Sequence, residues 1–304
     1  SLRAKGETLD ELIGFATVMR RHARPIFANS TAPPADALVD TCGTGGDAKG
    51  TFNISTGAAF VAAGAGARVA KHGNRSLSSR CGSADVLEAL GVRLAVPVER
   101  IGEAIRQVGI GFLFAPVVHS AMKHAAAARR QVGGHTIFNL LGPLTNPAGA
   151  TAQVLGVFDA RVSELMARAL AALGCRRAFV VHGADGMDEI SLSGETQVTE
   201  LREGAVHSYT LTPEDFGLER APLEALTGGD APTNAQIIRR ILDGEPGPPR
   251  DIVLANAAAA LVAAGRAANW RDGVALAAQS IDSGAALRKL DALTEFTNAQ
   301  SFVG

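Results

Sequence analysis

The sequence predicts an α/β fold with a mostly parallel central sheet flanked by helices, and three observations carry that expectation. Short apolar runs suited to buried strands alternate with longer segments of helical periodicity, the order that covers both faces of a parallel sheet. An apolar run, Ala37-Leu38-Val39, leads into the glycine loop Gly43-Thr44-Gly45-Gly46-Asp47, which opens onto an Ala-rich helical segment. The 304 residues are 47% hydrophobic and 19% charged, enough apolar content for a substantial core in one large or two unequal domains.

Each element has a local reason. Thr8-Leu9-Asp10-Glu11 has capping-box spacing, and Leu12, Ile13, Phe15, Ala16 and Met19 supply one apolar face, which predicts a helix over about 9–22. Thr31-Ala32-Pro33-Pro34 marks a hinge-like linker. Val92 to Val96 reads as a strand, with Val98, Ile101, Ile105 and Val108 at helical spacing after it. From Pro116 to Val132 one long Ala-rich helical stretch interrupts the alternation. Val154 to Phe158 reads as a strand, followed by a helix through Val162, Leu165, Met166, Ala169, Leu170 and Leu173 that stops at Gly174, and then by the strand Phe179-Val180-Val181. Thr196–Leu201 and Val206–Leu211 form a hairpin pattern turning at Glu203-Gly204. The alanine tetrads at 125–128 and 257–260 are helix formers.

Composition narrows the function classes. Lys plus Arg number 29 against 30 for Asp plus Glu, so no net cationic field draws in nucleic acid or an anionic membrane. No uninterrupted apolar run reaches membrane length. Cys42, Cys81 and Cys175 show no metal-ligand spacing, the pattern of reduced thiols in a cytoplasmic protein.

Three glycines in the four positions 43–46 let backbone N–H groups approach an anion, and Asn53, Ser55 and Thr56 fall at a predicted helix N-terminus, where free N–H groups favour phosphate. A second polar loop, Lys71-His72-Gly73-Asn74-Arg75-Ser76-Leu77-Ser78-Ser79, follows a single helix-plus-strand unit later. A lone glycine loop is usually a turn, but two such loops this close read as a site for a polyphosphorylated ligand. The P-loop ending and the dinucleotide fingerprint are both missing. Alone, Lys71 would be a solvated lysine, Asp188-Glu189 a solvated turn, and Arg129 the surface of an amphipathic helix.

Gly43-Thr44-Gly45-Gly46-Asp47, Asn53-Ile54-Ser55-Thr56 and Lys71-His72-Gly73-Asn74-Arg75 resemble the motif set of the anthranilate phosphoribosyltransferases of tryptophan biosynthesis. The resemblance continues through Phe114-Ala115-Pro116, His119, Arg129, Thr136 to Leu144, Asp185 to Glu189, Gly228-Gly229-Asp230-Ala231 and Asn256-Ala257-Ala258. It implies a small helical domain (1–33 with about 114–135) that lacks its first helices and a large α/β domain (34–113 and 136–304), with the site in the cleft between them. It also implies a homodimer through the small domain. Its donor, phosphoribosyl pyrophosphate, would meet Gly43, Gly46, Asp47, Thr51, Asn53, Ile54, Ser55, Thr56, the run Lys71 to Ser79, and Ser83. Lys71 would be a point charge on the phosphates. Its acceptor, anthranilate, would meet Gly43, Asn74 and the guanidinium of Arg129, which suits a carboxylate bidentately. Magnesium, two ions, would be held by Ser55, Asp188 and Glu189. Asp185 is not counted as a ligand. No general acid or base is assigned, and His72 and His119 stand only as possible proton acceptors.

Two departures bear on the acceptor. Ser120 stands where the family commonly has proline, and His135 where it often has arginine. A pyrimidine nucleoside phosphorylase has a different phosphate loop. A nucleic-acid-binding relative would show a basic groove and lost carboxylates, against the balanced charge and the Asp188-Glu189 pair here.

Overall fold

The computed structural model describes residues 2–27, 33–76, 80–124 and 134–299. A short helix α1 (Leu2–Lys5) precedes α2 (Leu9–His22), which starts as Thr8 and Glu11 dictate. Glu11 N–H donates to Thr8 Oγ1 at 3.3 Å, and Thr8 N–H donates to Glu11 Oε2 at 3.0 Å. The α/β body follows as β1 (Leu38–Gly43), α3 (Ile54–Gly64), β2 (Arg68–Gly73), α4 (Ser83–Ala89), α5 (Val98–Gln107), β3 (Ile110–Phe114) and α6 (Ala115–Val118). Then come α7 (Ile137–Leu141), β4 (Ala152–Gly156), α8 (Ser163–Ala172), β5 (Arg177–Gly183), β6 (Thr196–Arg202) and β7 (Ala205–Leu211). Four helices close the chain: α9 (Ala231–Leu242), α10 (Pro248–Ala263), α11 (Trp270–Asp282) and α12 (Ala285–Asn298).

The strands form one sheet in the order β3-β2-β1-β4-β5-β6-β7. Pairing is parallel from β3 to β5 and antiparallel in the β5–β6 and β6–β7 pairs. The chain builds outward from β1 to β3, then returns to the other side of β1 as β4. That reversal leaves a crevice at the carboxyl ends of β1 and β4, the switch point where open α/β sheets take ligands.

Side-chain alternation covers both faces. Val39, Val69, Val154, Phe179 and Val198 face a core with α3 and α10, whose Ala257 to Ala260 are all buried. Their neighbours Leu155, Val180 and Leu201 pack with Met166 and Leu170 of α8 and with Leu12 and Ala16 of α2. Arg20 fastens α2 further, donating from Nε to Leu144 O and from Nη1 to Leu173 O, both at 2.7 Å. At the hairpin, Glu203 (φ 51°) and Gly204 (φ 87°) make the tight turn that their sequence promised.

Three local expectations change. Val92 to Val96 is not a strand: Val92, Leu94 and Val96 are buried in alternation, but Arg93 N–H donates to Thr297 Oγ1 of α12 at 3.1 Å. The helical stretch from Pro116 is broken, since α6 ends at Val118 and a 3-10 turn takes Ser120–His124. Lys71, His72 and Gly73 belong to β2, so the second polar loop starts at Asn74. Thr31, Ala32 and the tetrad at 125–128 lie outside the described residues. Among the described residues no helix is long and apolar enough to cross a membrane.

Candidate active site

Gly43 ends β1 opposite Gly156 of β4. A Cβ on Gly43 would stand 2.7 Å from Asp188 Oδ2, and one on Gly156 would stand 1.6 Å from Asp188 O. Two bare backbones thus open the slot that admits the segment after β5. Asp188 Oδ2 accepts from Gly45 N–H at 3.0 Å, and Glu189 Oε1 accepts from Ser55 N–H at 3.1 Å. Asn53, the N-cap of α3, makes no side-chain cap, so Glu189 supplies an acceptor to the helix's first turn. Asn256 fixes the same segment from behind, exchanging hydrogen bonds of 3.1 Å with both Ile190 N–H and Ile190 O.

Both carboxyls sit above the usual carboxylate range. Burial is the larger cause for each, followed by the charge of Asp47 on Asp188 and the charge of Asp188 on Glu189. Among the described residues no group of three or more His, Cys, Asp or Glu is arranged to hold a metal ion. Magnesium asks for less: it binds through one or two carboxylates and fills its shell with phosphate oxygens and water. Two half-buried acids that each spend an oxygen on a backbone N–H and repel one another fit that cation.

Lys71 is buried, and its Nζ donates to Thr41 O, to Thr41 Oγ1 at 3.3 Å and to Ser55 Oγ at 3.3 Å. Burial lowers it from the ordinary lysine value, while Asp40, Cys42 and Glu189 oppose that shift. Asp40, also fully buried, accepts from His72 N–H at 3.0 Å and from Asn146 Nδ2 at 2.8 Å. The rings of His72 and His119 lie 5.0 Å apart, each with a buried, unpartnered Nε2. Burial pushes His72 down to about 3 and His119 to about 4, with the charge of His119 adding to the effect on His72. Both imidazoles are neutral at physiological pH.

The other expected residues distribute as follows. Gly46 adopts φ 87° and is roofed by His135, whose Cε1 lies 2.2 Å from a Cβ built there; His135 itself stacks on Phe158 at 4.1 Å. Thr51 bridges to Thr227, Ile54 is in the apolar core, and Thr56 Oγ1 is buried without a partner. Gly73 packs under Ser83, whose Oγ donates to Asn74 O at 3.4 Å. Asn74 Oδ1 accepts from Arg75 N–H at 2.8 Å. The Arg75 guanidinium turns away to Asp85 and Glu88 of α4, both at 2.9 Å, and Ser76 N–H donates to Asp85 at 3.1 Å. Gly43, Gly46, Asp47, Ser55, Lys71, Asp188 and Glu189 therefore gather at the ends of β1, β2 and β4. Leu77, Ser78, Ser79 and Arg129 lie outside the described residues. Asp185 accepts from Met187 N–H at 3.0 Å and from the hydroxyls of Ser191 and Ser193 at 2.5 Å, bonds that shape the turn.

The sequence alone assigned no role to four supports: Asp40, Asn146, Asn256, and Asn139, whose Nδ2 donates to Thr44 O at 3.2 Å. For Asn139 and Asn256 a signal was available, since each is a polar residue set in an apolar run, where burial demands a partner.

The doubly wound sheet carries a glycine loop and a helix N-terminus at its switch point, the arrangement of an anion-binding α/β domain, and residues 35–287 match the family model "Glycosyl transferase family, a/b domain". Anthranilate phosphoribosyltransferases of Myxococcus xanthus and Symbiobacterium thermophilum are 59% and 56% identical to this chain, over 97% and 98% of it and 86% of each relative. The crystal structure of the Thermus thermophilus anthranilate phosphoribosyltransferase superposes with a TM-score of 0.91 at 51% identity, covering 98% of this chain and 88% of that one. The Saccharomyces cerevisiae enzyme, solved in complex with PRPP and Mg, gives 0.88 at 30% identity, covering 98% and 83%. The chain belongs to the anthranilate phosphoribosyltransferase family.

Proposed function

We propose that this chain transfers the phosphoribosyl group of phosphoribosyl pyrophosphate to the amine of anthranilate, giving N-(5-phosphoribosyl)anthranilate and pyrophosphate, a step of tryptophan biosynthesis. The observation that carries this reading is the pair of bonds from Gly45 N–H to Asp188 and from Ser55 N–H to Glu189. They join an anion-binding loop and helix N-terminus to two carboxylates suited to magnesium.

The residues divide the work. The Gly43–Asp47 loop and the N-terminus of α3 present fixed N–H dipoles to the phosphates, which need no reorganisation as charge moves to the leaving group. Lys71 adds positive charge behind Ser55. Ser55, Asp188 and Glu189 would hold magnesium, two ions, whose charge would offset that of the pyrophosphate leaving group. The C1–O bond breaks with its electron pair going to pyrophosphate, the amine nitrogen bonds to C1, and the amine proton passes to the released pyrophosphate or to water. Gly43, Asn74 and Arg129 place the acceptor, Arg129 by pairing its carboxylate. Anthranilate's weakly basic amine needs placement more than deprotonation, so the rate enhancement lies in orientation and charge stabilisation.

In this reading the small helical unit takes in α2 and α6, and the exposed Phe15 and Val18 on α2 (45% and 52%) support a homodimer through that unit. The three free cysteines accord with a cytoplasmic location.

The test follows anthranilate fluorescence with phosphoribosyl pyrophosphate and magnesium, beside the Asp188→Asn/Glu189→Gln protein. Loss of fluorescence that needs donor and metal, and collapses in the variant, is the expected result. Anthranilate persisting with the unaltered protein would sink the reading.

A further inference from the structure

Asn234, in the first turn of α9, is only 1% exposed and uses both ends of its carboxamide. Its Nδ2 donates to Asn53 Oδ1 at 3.0 Å, and its Oδ1 accepts from Gly229 N–H at 2.7 Å. Asn53 is likewise committed, with Nδ2 donating to Cys81 O at 3.2 Å and Oδ1 accepting from Cys81 Sγ at 3.3 Å. One hydrogen-bonded line therefore runs from α9, through the residue before α3, to the segment before α4. It ties together the two loops that flank the donor site.

The backbone follows the same seam. Thr51 pairs with Thr227, Phe52 N–H donates to Leu226 O at 3.2 Å, and Gly228 N–H donates to Gly50 O at 2.8 Å. A Cβ on Gly228 would stand 2.6 Å from Phe52 N, so the two segments meet backbone to backbone. The Gly228-Gly229-Asp230-Ala231 motif, which no step of the reaction uses, thus gains a physical reason. Its glycines allow the close approach, and Asp230 caps α9 by accepting from Thr233 N–H at 3.0 Å, which sets the helix start where Asn234 meets Asn53.

We infer that Asn234 is a positioning residue for donor binding: it fixes the orientation of the Asn53 carboxamide and, through it, the spacing of the first donor loop from the segment at Cys81. The inference rests on the donor site assigned under Proposed function. The pattern needs an amide at 234, because one end must donate and the other accept. An ionised aspartate there keeps the acceptor for Gly229 but sets an oxygen against Asn53 Oδ1. If Asn53 flips to relieve that, its own oxygen faces Cys81 O. The fault is carried across the seam to the second loop.

The experiment compares the full unaltered chain with Asn234→Asp, Asn234→Ala, Asn53→Ala and the double variant Asn53→Ala/Asn234→Ala. It measures phosphoribosyl pyrophosphate affinity by calorimetry with magnesium, KM for anthranilate, and melting temperature. Asn234→Asp and Asn234→Ala are expected to weaken donor binding about tenfold, the worth of one buried hydrogen bond, and to leave KM for anthranilate within about twofold. In the Asn53→Ala background, Asn234→Ala should add no further loss of donor affinity. Loss of a buried hydrogen bond lowers the melting temperature in either case, but a merely structural role would weaken both substrates alike, which overturns the inference. So would unchanged donor affinity in Asn234→Asp, the variant that keeps the bond from Gly229. An unaltered chain that binds donor but leaves anthranilate untouched defeats the proposed reaction alone, and the donor affinities still decide the role of Asn234. Absence of donor binding defeats both.

Discussion

Asp188 Oδ2 lies 2.7 Å from the point where a Cβ on Gly43 would stand, so the last residue of β1 is glycine because a carboxylate occupies its side-chain space. Gly43→Ala is expected to displace Asp188 and, with it, half of the carboxylate pair proposed for magnesium. Activity should fall about 10–100-fold, the usual effect of disturbing the support of a metal ligand, with a raised magnesium requirement. A magnesium titration of initial rates checks this; an unchanged half-saturation would remove Asp188 from the metal site.

Asp188 and Glu189 sit above their ordinary values in the folded protein, chiefly through burial. The folded state therefore holds protons that the unfolded chain has already lost, and metal-free stability falls as pH rises from the ordinary carboxylate range near 4 toward 8. Asp188→Asn/Glu189→Gln removes the half-buried charge, so metal-free protein at pH 8 should gain about 1–2 kcal/mol, a gain that vanishes near pH 4. Magnesium with the donor should raise the melting temperature of the unaltered chain only. Urea unfolding at the two pH values makes the comparison, and a metal-free variant less stable at pH 8 would contradict it.

His119 works in the opposite sense. Its folded value of about 4 lies below the ordinary 6.5, so the unfolded chain takes up the proton first as pH falls. Its contribution is constant above about pH 6.5 and is lost at up to about 1.4 kcal/mol per pH unit from there toward 4. His119→Asn should flatten that part of the profile, while His72, which titrates at about 3, keeps its own share. The readout is the difference in unfolding free energy between the two proteins at pH 7 and pH 5, because the carboxyl pair opposes the trend. A difference that does not move with pH rules out the buried neutral imidazole.

Arg20 joins α2 to the carbonyls of Leu144 and Leu173 with two bonds of 2.7 Å. Truncation in Arg20→Ala leaves both acceptors unpaired and should cost about 2–3 kcal/mol, whereas Arg20→Lys, with no planar fork, should recover only part. Denaturant midpoints of the two variants measure it. Equal stability in both would mean that the bonds contribute nothing net.

Local chemistry wrote much of the fold into neighbouring residues. The Thr8–Glu11 box, the stop of α8 before Gly174 and the Glu203-Gly204 turn depend on contacts within a few positions, and each stands where the sequence puts it. The glycine loop after β1 is of the same kind. The parallel sheet follows from strand-helix alternation, because a strand apolar on both sides must be covered on both.

Partner choice across long separations was settled only in three dimensions. Val92 to Val96 carries the alternation of a strand, yet its backbone bonds to Thr297 of α12, some two hundred residues on, and not to a sheet neighbour. Lys71 reads as a loop cation, but parallel pairing of β2 with β1 and β3 carries it into the interior beside Thr41 and Ser55. The link between Asn53 and Asn234 spans 181 positions, and no local pattern announces it. Sequence periodicity states which groups must be buried and which must be capped. Which donor meets which acceptor depends on how the layers close, since a buried polar group takes whatever partner the packed fold brings within reach.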